Sequence, residues 1–428
     1  MIKFETKCTT NKSLNERAII KKYQNTINKI DNKINTNKAV GVNMTGWLHM
    51  DTYYHQNELK DIINKAKEWN EMKIKNILVI GIGGSYIGIK AAIDMVLNDL
   101  TKINMIYVHN INTSYINAIL RKLGNQKFGI IIISKSGTTL EPAVSFRIFR
   151  KRLEEIVSVN KAKKLIVAIT DAHKGTLHDF ASAKGYKMFY IPSNIGGRYS
   201  TLTPVGLFPM AVAGIDICKI MQGCKQALND LKTSKLIQNS AYLYACYRHY
   251  LHTNKKMQLE NFIVYDPYLL MIGSQWQQLF GESEGKNKHG LYPTYSLFTT
   301  DLHSLGQYLQ DGSRNFFETT LFIDSYANDI KLKINDSDDG IKYLNNKTLS
   351  SITQNAFMGT LNAHIKNGNV NNFIIHISKS NSAFDYGYLF IWLAKAAMMS
   401  SYLLKVNPFD QPGVEQYKKE MFTLLGKK

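Results

Sequence analysis

Two short apolar runs, each followed at once by a turn of small residues, constrain the fold of this chain more than any other feature. Residues 76–80 read NILVI and residues 128–133 read FGIIII, so both faces of each segment are apolar. A strand with two apolar faces is typical of a parallel sheet that helices cover on both sides. Helical spacing resumes after each turn, so the sequence predicts repeated strand–turn–helix units of an α/β protein.

The first turn, residues 81–85, reads GIGGS and is similar to two nucleotide-binding motifs without satisfying either. A GxGxxG motif that starts at its first glycine needs a glycine where the chain has Tyr86, and a P-loop that starts at its second glycine needs a lysine where the chain has Ile89. A glycine turn at a helix N-terminus remains, and its backbone N–H groups can approach an anion or a sugar hydroxyl.

The second turn, residues 134–139, reads SKSGTT and predicts a phosphate site. Hydroxyl and backbone N–H groups donate to phosphate oxygens, while Lys135 and the N-terminus of the next helix contribute positive charge. The alternative is an N-cap, but a cap needs one Ser or Thr rather than four. The four hydroxyls belong to Ser134, Ser136, Thr138 and Thr139.

A candidate catalytic segment at residues 281–290 reads GESEGKNKHG and carries two carboxylates, Glu282 and Glu284. The apolar residues before it predict a helix that ends at Gly281, which would leave both carboxylates on the loop beyond. A carboxylate on a loop carried by a rigid element suits a general base. A solvated polar loop is the alternative.

Three further residues have both a functional and a structural interpretation. Arg198 follows two glycines, and it either lies at the surface or directs a fixed cation into a cleft. His303 stands at the predicted start of a helix, with Asp301 as a candidate cap or a partner for the ring. Lys418 lies on the first turns of the last predicted helix, where an ordinary helix pair with Glu415 is the alternative.

The totals set the class of protein. The chain has 428 residues, of which 44% are hydrophobic and 20% charged, as in a soluble globular protein with two domains of about 150–200 residues. It has no apolar run of about 18 residues and no secretory signal, so we expect no membrane span. The cysteines form no CxxC pair, which predicts free thiols, no metal site and a reducing cytoplasm. They are Cys8, Cys218, Cys224 and Cys246.

The formal net charge of +20, from 53 Lys and Arg against 33 Asp and Glu, is compatible with a nucleic-acid-binding protein. However, the lysines are spread along the chain without a block of five, and richness in Lys, Asn and Ile is the bias of an AT-rich genome. We therefore expect no nucleic-acid partner. The positive electrostatic field of the chain is better suited to attract an anionic small substrate.

Six segments together resemble, in order and spacing, the glucose-6-phosphate isomerase (phosphoglucose isomerase) family in its short bacterial form. The resemblance covers about residues 39–422. The segments are GIGGSYIG (81–88), ISKSGTT (133–139), GGRYSTLTPVGL (196–207), QLFGESEGK (278–286), TTDLHSLGQYLQDG (299–312) and NPFDQPGVEQYKK (407–419).

The resemblance implies two sugar-isomerase (SIS-type) domains, each a doubly wound parallel sheet sandwiched by helices, with the active site in the cleft between them. It also implies a homodimer or a higher oligomer. We predict a polar N-terminal helical arm at 1–40, a first domain with the phosphate turn at 41–195, and a second domain with the catalytic Glu and His at 196–405. A C-terminal helix with a catalytic lysine follows at 406–428.

The resemblance also implies an aldose–ketose isomerase of glycolysis and gluconeogenesis, without cofactor or metal. It would interconvert D-glucose 6-phosphate and D-fructose 6-phosphate by ring opening and proton transfer between C1 and C2 through a cis-enediol(ate). Proton transfer falls to Glu282, with Glu284 as the competing choice, ring opening to His303 and Lys418, and charge stabilisation to Arg198. The implied substrate-binding residues are Gly84, Ser85, Ser134, Lys135, Ser136, Thr138, Thr139, Gln278 and Gln411.

Two other functions stay open on sequence alone. An isomerase that also accepts mannose 6-phosphate would carry the same residues. A regulator that binds sugar phosphates without turnover would keep the 134–139 turn and could dispense with Glu282, His303 and Lys418, all of which are present.

Overall fold

The structure is a computed structural model, and it describes residues 2–7, 15–50, 56–98, 100–334 and 340–426. The chain forms two compact units. The central unit is Gly41–Leu228, and the terminal unit joins Met1–Val40 to Asn229–Lys428.

The described residues form two five-stranded sheets, one in each unit. The strands are β1 (Lys3–Lys7), β2 (Asn76–Ile80), β3 (Asn104–Val108), β4 (Phe128–Ile133), β5 (Ile166–Asp171), β6 (Lys187–Ile191), β7 (Leu259–Val264), β8 (Tyr292–Leu297), β9 (Phe316–Ile323) and β10 (Asn372–Ile377).

Helices precede, connect and follow these strands. They are α1 (Glu16–Asn35), α2 (Gln56–Glu71), α3 (Ile87–Leu97), α4 (Thr113–Leu123), α5 (Leu140–Val157), α6 (Val159–Ala162), α7 (Thr176–Lys184), α8 (Pro204–Ala213), α9 (Ile217–Asp230), α10 (Ser240–Lys255), α11 (Leu270–Glu284), α12 (Leu302–Asp311), α13 (Leu349–Lys366), α14 (Ala383–Leu403) and α15 (Pro412–Leu424). Among the described residues, none of these helices is both long enough and apolar enough to span a bilayer.

The sheet of the central unit has the strand order β3-β2-β4-β5-β6, and every neighbouring pair is parallel. Every residue of β2, β4 and β5 is buried, as strands covered on both faces must be. The predicted parallel α/β sheet is confirmed. The register, with Ile77 opposite both Met105 and Gly129, brings the carboxyl ends of β2 and β4 to one edge of the sheet.

The sheet of the terminal unit has the order β1-β10-β9-β7-β8. The strands β7 to β10 are parallel to their neighbours, while β1 pairs antiparallel with β10, with Phe4 opposite Ile375. The sheet is thus a second parallel core with one antiparallel edge strand. The two sheets confirm the predicted fold class.

The N-terminal segment differs from the predicted polar helical arm. Its first described residues form strand β1, because Ile2 and Phe4 alternate with polar residues and face the core. The Phe4 ring packs against the rings of Tyr244 and Trp392 at centroid distances of 5.6 and 6.0 Å. Helix α1 is present as predicted, and it packs against α10. Its buried stripe consists of Ile19, Tyr23, Ile27 and Ile34.

The division between the units also differs from the predicted boundary at 195/196. Residues 196–228 continue the central unit, since α8 is apolar almost all round and packs against α2, α3 and β6. The backbone of Gly197 lies against Gly84 of the same unit, where a Cβ on Gly84 would be 2.1 Å from the Gly197 carbonyl oxygen. The predicted C-terminal helix, α15, lies in the same unit as β7 to β10.

Candidate active site

The predicted phosphate turn, residues 134–139, joins the carboxyl end of β4 to the N-terminus of α5. The Oγ of buried Ser134 accepts a hydrogen bond from the N–H of Gly137 at 3.0 Å. The Oγ of Ser136 accepts from the N–H of Thr138 at 3.2 Å and lies 3.0 Å from the hydroxyl of Thr138. These bonds hold the turn in a compact shape and leave the side chains at 136, 138 and 139 exposed.

Gly137 is required by the backbone of this turn. Its φ is +78°, and a Cβ at this position would lie 2.2 Å from the backbone nitrogen of Leu177. Only glycine adopts this conformation without strain and also lets the start of α7 approach so closely. The N–H of Thr176 donates to the carbonyl of Ser136 at 3.0 Å, which ties the turn to that helix.

Lys135 is attached to the chain that follows β6. Its Nζ donates to the carbonyl of Ser193 at 3.1 Å. Partial burial lowers the pKa of the Lys135 amine, and the carboxylate of Asp171 opposes that shift. The amine therefore has a defined place beside the turn.

The glycine turn of the central unit forms a short 3-10 helix, Gly83–Ser85, between β2 and α3. A Cβ at Gly84 would lie 2.1 Å from the carbonyl oxygen of Gly197 and 3.0 Å from the backbone nitrogen of Arg198. The absence of a side chain thus lets two backbones meet. Arg198 is only 4% exposed, so it is not the surface residue that the sequence left open.

Glu282 lies on the last turn of α11, so the prediction of a helix stop at Gly281 is wrong. The helix continues to Glu284 and is capped at Gly285, whose N–H donates to the carbonyl of Gly281. Gly281 serves packing instead of termination, since a Cβ there would lie 3.3 Å from the ring of Pro293 on β8. The catalytic candidate is therefore carried by the helix itself.

Two glutamine amides hold the Glu282 carboxylate. The Nε2 of Gln278 donates to Oε1 at 3.0 Å, and the Nε2 of Gln411 donates to Oε2. Gln278 lies one helical turn before Glu282, whereas Gln411 comes from the segment before α15. The structure thus brings together three residues that the sequence assigned to the site. Both glutamines contact the carboxylate that the sequence assigned to proton transfer.

Glu284 has a different environment from Glu282, although it is on the same turn. Residues two apart on an α-helix point about 200° apart around its axis. Glu284 is 1% exposed, and its Oε1 accepts from Nη1 of fully buried Arg248. A carboxylate that is buried and ion-paired is poorly suited to take a proton from a sugar carbon, so the geometry favours Glu282 as the base.

Lys286 is a site-forming residue that sequence reasoning did not single out. Its Nζ donates to the carbonyl of Asn407 and forms an ion pair with Asp410 at 3.0 Å. The lysine therefore fixes the segment that carries Gln411 against the end of α11. The signal was a lysine in the 278–286 segment and an aspartate in the 407–419 segment, but no spacing rule relates segments so far apart.

His303 begins α12 as predicted, but Asp301 does not cap that helix with its side chain. The Asp301 carboxylate accepts instead from the N–H of Leu297 at 2.7 Å. Lys418 lies on α15, where its Nζ pairs with Glu415 at 2.9 Å, the helix pair that the sequence left open. His303 is exposed and Lys418 is partly exposed, and the two residues lie on separate helices.

In the part of the chain that the structure describes, no three His, Cys, Asp or Glu side chains gather to hold a metal ion. Cys218, Cys224 and Cys246 are free thiols. Cys8 lies outside the described residues.

The fold and these residues define a class. Two parallel-sheet cores flanked by helices are the architecture of a sugar-isomerase (SIS-type) protein. Solved structures agree on the fold. A hypothetical protein of Thermus thermophilus superposes with a TM-score of 0.87 at 24% identity, over 98% of this chain and 100% of that one. A glucose-6-phosphate isomerase of Chlamydia trachomatis gives 0.82 at 18% identity, over 99% and 88%.

Sequence comparison then identifies the family. A family model described as Phosphoglucose isomerase matches residues 23–319. The glucose-6-phosphate isomerase of Mycoplasmopsis pulmonis is 44% identical over 421 residues, which are 97% of this chain and 98% of that protein. The chain belongs to the phosphoglucose isomerase family and is an aldose–ketose isomerase.

Proposed function

We propose that this chain interconverts D-glucose 6-phosphate and D-fructose 6-phosphate, with Glu282 as the base that moves a proton between C2 and C1. The observation that carries the proposal is the Glu282 carboxylate held by Gln278 and Gln411 at the end of α11, while Glu284 is buried in an ion pair. One carboxylate near both carbons can remove the proton from one and return it to the other through a cis-enediol(ate). The name of the Mycoplasmopsis pulmonis relative supports this substrate.

The other residues of the proposed mechanism act on charge and ring opening. The enediolate carries negative charge on oxygen, which the buried Arg198 guanidinium stabilises, a contribution on the order of 3 kcal/mol. The substrate arrives as a closed ring, and opening it needs a proton at the ring oxygen and loss of one from the anomeric hydroxyl. We assign these transfers to His303 and Lys418. The phosphate, bound by the 134–139 turn, orients the sugar for them.

The direct test is a coupled assay that measures glucose 6-phosphate formed from fructose 6-phosphate, with and without a chelator. We expect turnover in both conditions. Absence of turnover by folded protein would contradict the proposal. Mannose 6-phosphate in the same assay separates a glucose-specific enzyme from one with dual activity.

Thr139→Ala is expected to weaken phosphate binding without harming the fold. Thr139 is the N-cap residue of α5, yet its side chain makes no capping hydrogen bond, so its hydroxyl stays available to a ligand. Loss of one hydroxyl–phosphate bond should raise both the KM for fructose 6-phosphate and the inhibition constant of inorganic phosphate by about 5–10-fold. Steady-state kinetics with phosphate as competitor measure both constants.

The matched control is Thr113→Ala, which removes an exposed threonine at the start of α4 in the same unit. It should leave both constants unchanged. Equal phosphate inhibition of the Thr139→Ala and Thr113→Ala variants would show that the turn has a structural role only.

We further propose that the enzyme is a homodimer whose sites take His303 from the neighbouring chain. The exposed side of α12 supports this, since Leu305 is 46% and Tyr308 48% exposed on the helix that carries His303. Apolar side chains beside an exposed catalytic candidate fit a surface that a second copy covers.

Subunit mixing should restore activity to two inactive variants. A His303→Ala chain and a Glu282→Gln chain, combined at equal amounts under conditions that exchange subunits, should form heterodimers with one intact site. Random pairing then makes about a quarter of all sites whole. Activity is measured after exchange has been verified by mass spectrometry.

The matched control mixes His303→Ala with a chain that carries both substitutions, a pair that cannot form a whole site. It should stay inactive. If the first mixture also stays inactive after verified exchange, each site is built within one chain.

We also propose a cytoplasmic location. The free thiols of Cys218, Cys224 and Cys246 suit a reducing compartment, and the substrate is a phosphorylated sugar of central metabolism.

A further inference from the structure

A buried ionic cluster lies directly behind the end of α11. Its centre is Arg248 of α10, which is fully buried and lies between two carboxylates. The Nε of Arg248 donates to Oε2 of Glu260 on β7 at 2.5 Å, and Nη1 donates to Oε1 of Glu284 on α11. Nη1 also donates to the hydroxyl of Ser400 on α14 at 2.8 Å. One guanidinium therefore joins four elements of the terminal unit.

The two carboxylates are supported unequally. Glu260 also accepts from the hydroxyls of Tyr244 and Thr319, so it has partners besides Arg248. Burial raises the pKa of Glu260, and the guanidinium opposes that shift. Within the described residues, Oε2 of Glu284 has no hydrogen-bond partner. The position of the Glu284 carboxylate therefore depends on its ion pair with Arg248.

Arg248 contacts α11 at a second point. Its guanidinium carbon lies 4.0 Å from the centroid of the Phe280 ring, within cation–π distance. Phe280 and Glu284 are four residues apart and share one side of the helix. Gln278 and Glu282 are also four residues apart, and they form the hydrogen-bonded pair on another side. Arg248 thus contacts one side of the last turn of α11, and Glu282 lies on another side of the same turn.

The last turn of α11 needs such contacts to hold its conformation. The final carbonyls of a helix lack intrahelical partners, so helix ends fray. Gly281 and Gly285 flank Glu282 and Glu284, and glycine adds backbone freedom. A general base must nevertheless be held close to its productive geometry, since small displacements lower the rate strongly.

We infer that Arg248 and Glu284 are positioning residues for the isomerisation: they fix the end of α11 so that the Glu282 carboxylate is correctly placed. The inference rests on the proposed role of Glu282 as the base. It explains why a second carboxylate two residues after the base lies in the interior. In a merely stabilising cluster, either carboxylate could be neutralised with the same effect on turnover.

The test compares substitutions at the two carboxylates. Glu284→Ala releases α11 from Arg248 and should lower kcat about 10–50-fold, with the KM for fructose 6-phosphate changed less than about 2-fold. Glu284→Gln retains an acceptor for Arg248, so its kcat should be only about 3-fold below that of the wild type. Glu260→Gln is the matched control, because it removes a carboxylate charge from the same cluster but has no atom on α11. It should lower the unfolding temperature and leave kcat within about 2-fold of wild type.

Coupling to the base distinguishes positioning from stability. In a Glu282→Gln background, Glu284→Ala should cause no further loss of kcat, because the residue acts through Glu282. A further loss by the same factor as in the wild-type background would overturn the inference, as would equal kcat losses for Glu284→Ala and Glu260→Gln. If Glu284→Ala does not fold at the assay temperature, the same comparisons are made with Glu284→Gln.

Failure of the proposed function gives a different result. Near-normal turnover by Glu282→Gln alone would remove the base and, with it, the inference. Loss of activity by Glu282→Gln together with wild-type kinetics of Glu284→Ala would retain the base and overturn only the positioning role.

Discussion

Glu282→Gln is expected to lower turnover by at least about 10²-fold while the protein folds and binds sugar phosphate normally. Glutamine has nearly the same shape as glutamate but cannot accept the substrate proton. The amides of Gln278 and Gln411 still find an acceptor in the new side-chain oxygen, so the end of α11 should keep its conformation. The measurements are kcat for fructose 6-phosphate, the inhibition constant of inorganic phosphate, and the unfolding temperature.

Glu284→Gln provides the matched control, as the same change two residues along the same helical turn. It should lower kcat only about 3-fold, because Glu284 pairs with Arg248 in the interior and does not act as the base. If the two variants exchanged these properties, with Glu284→Gln inactive and Glu282→Gln active, the base would be Glu284.

Gly84→Ala is expected to lower kcat by about 30–100-fold, the second-largest effect. Its Cβ would lie 2.1 Å from the oxygen and 2.4 Å from the carbon of the Gly197 carbonyl, and neither backbone atom can rotate away. The glycine turn must therefore move away from the 3-10 helix Gly197–Leu202, which carries Arg198. If Arg198 stabilises the enediolate as we propose, a contribution on the order of 3 kcal/mol, displacing it forfeits most of that effect. Overpacking should also cost about 1–3 kcal/mol of stability.

Gly197→Ala is the control on the other side of the same contact. A Cβ on Gly197 would meet no atom within 4 Å, so this variant should retain near wild-type kcat and unfolding temperature. Equal kcat values for the two variants would show that the close approach of the two backbones does not position Arg198.

Much of the sheet architecture was predictable because its signal is local. The predicted strands 76–80 and 128–133 coincide with β2 and β4. A continuous apolar run next to a turn needs no knowledge of its neighbours. The hydroxyl-rich turn after β4 was predictable for the same reason, since its residues are consecutive.

Features that depend on distant contacts were missed. Strand β1 is short and half polar, and it is a strand only because β10 offers an edge more than 360 residues away in the sequence. The helix did not stop at Gly281, because that glycine packs against Pro293. Arg248 carried one weak signal, a charged residue inside an aromatic-rich helical stretch, and such a residue needs a buried partner. Nothing in the sequence indicated that the partner would be Glu284.

The pairing of β1 with β10 constrains the order in which the two units fold during synthesis. The central unit is one continuous stretch of chain and can fold as soon as it has left the ribosome. The terminal unit cannot close at that stage, because β1 must wait until residues 372–377 have been translated. Until then, the apolar side chains of Ile2 and Phe4 have no sheet to cover them. Strand β1 therefore stays unpaired until β10 has been made.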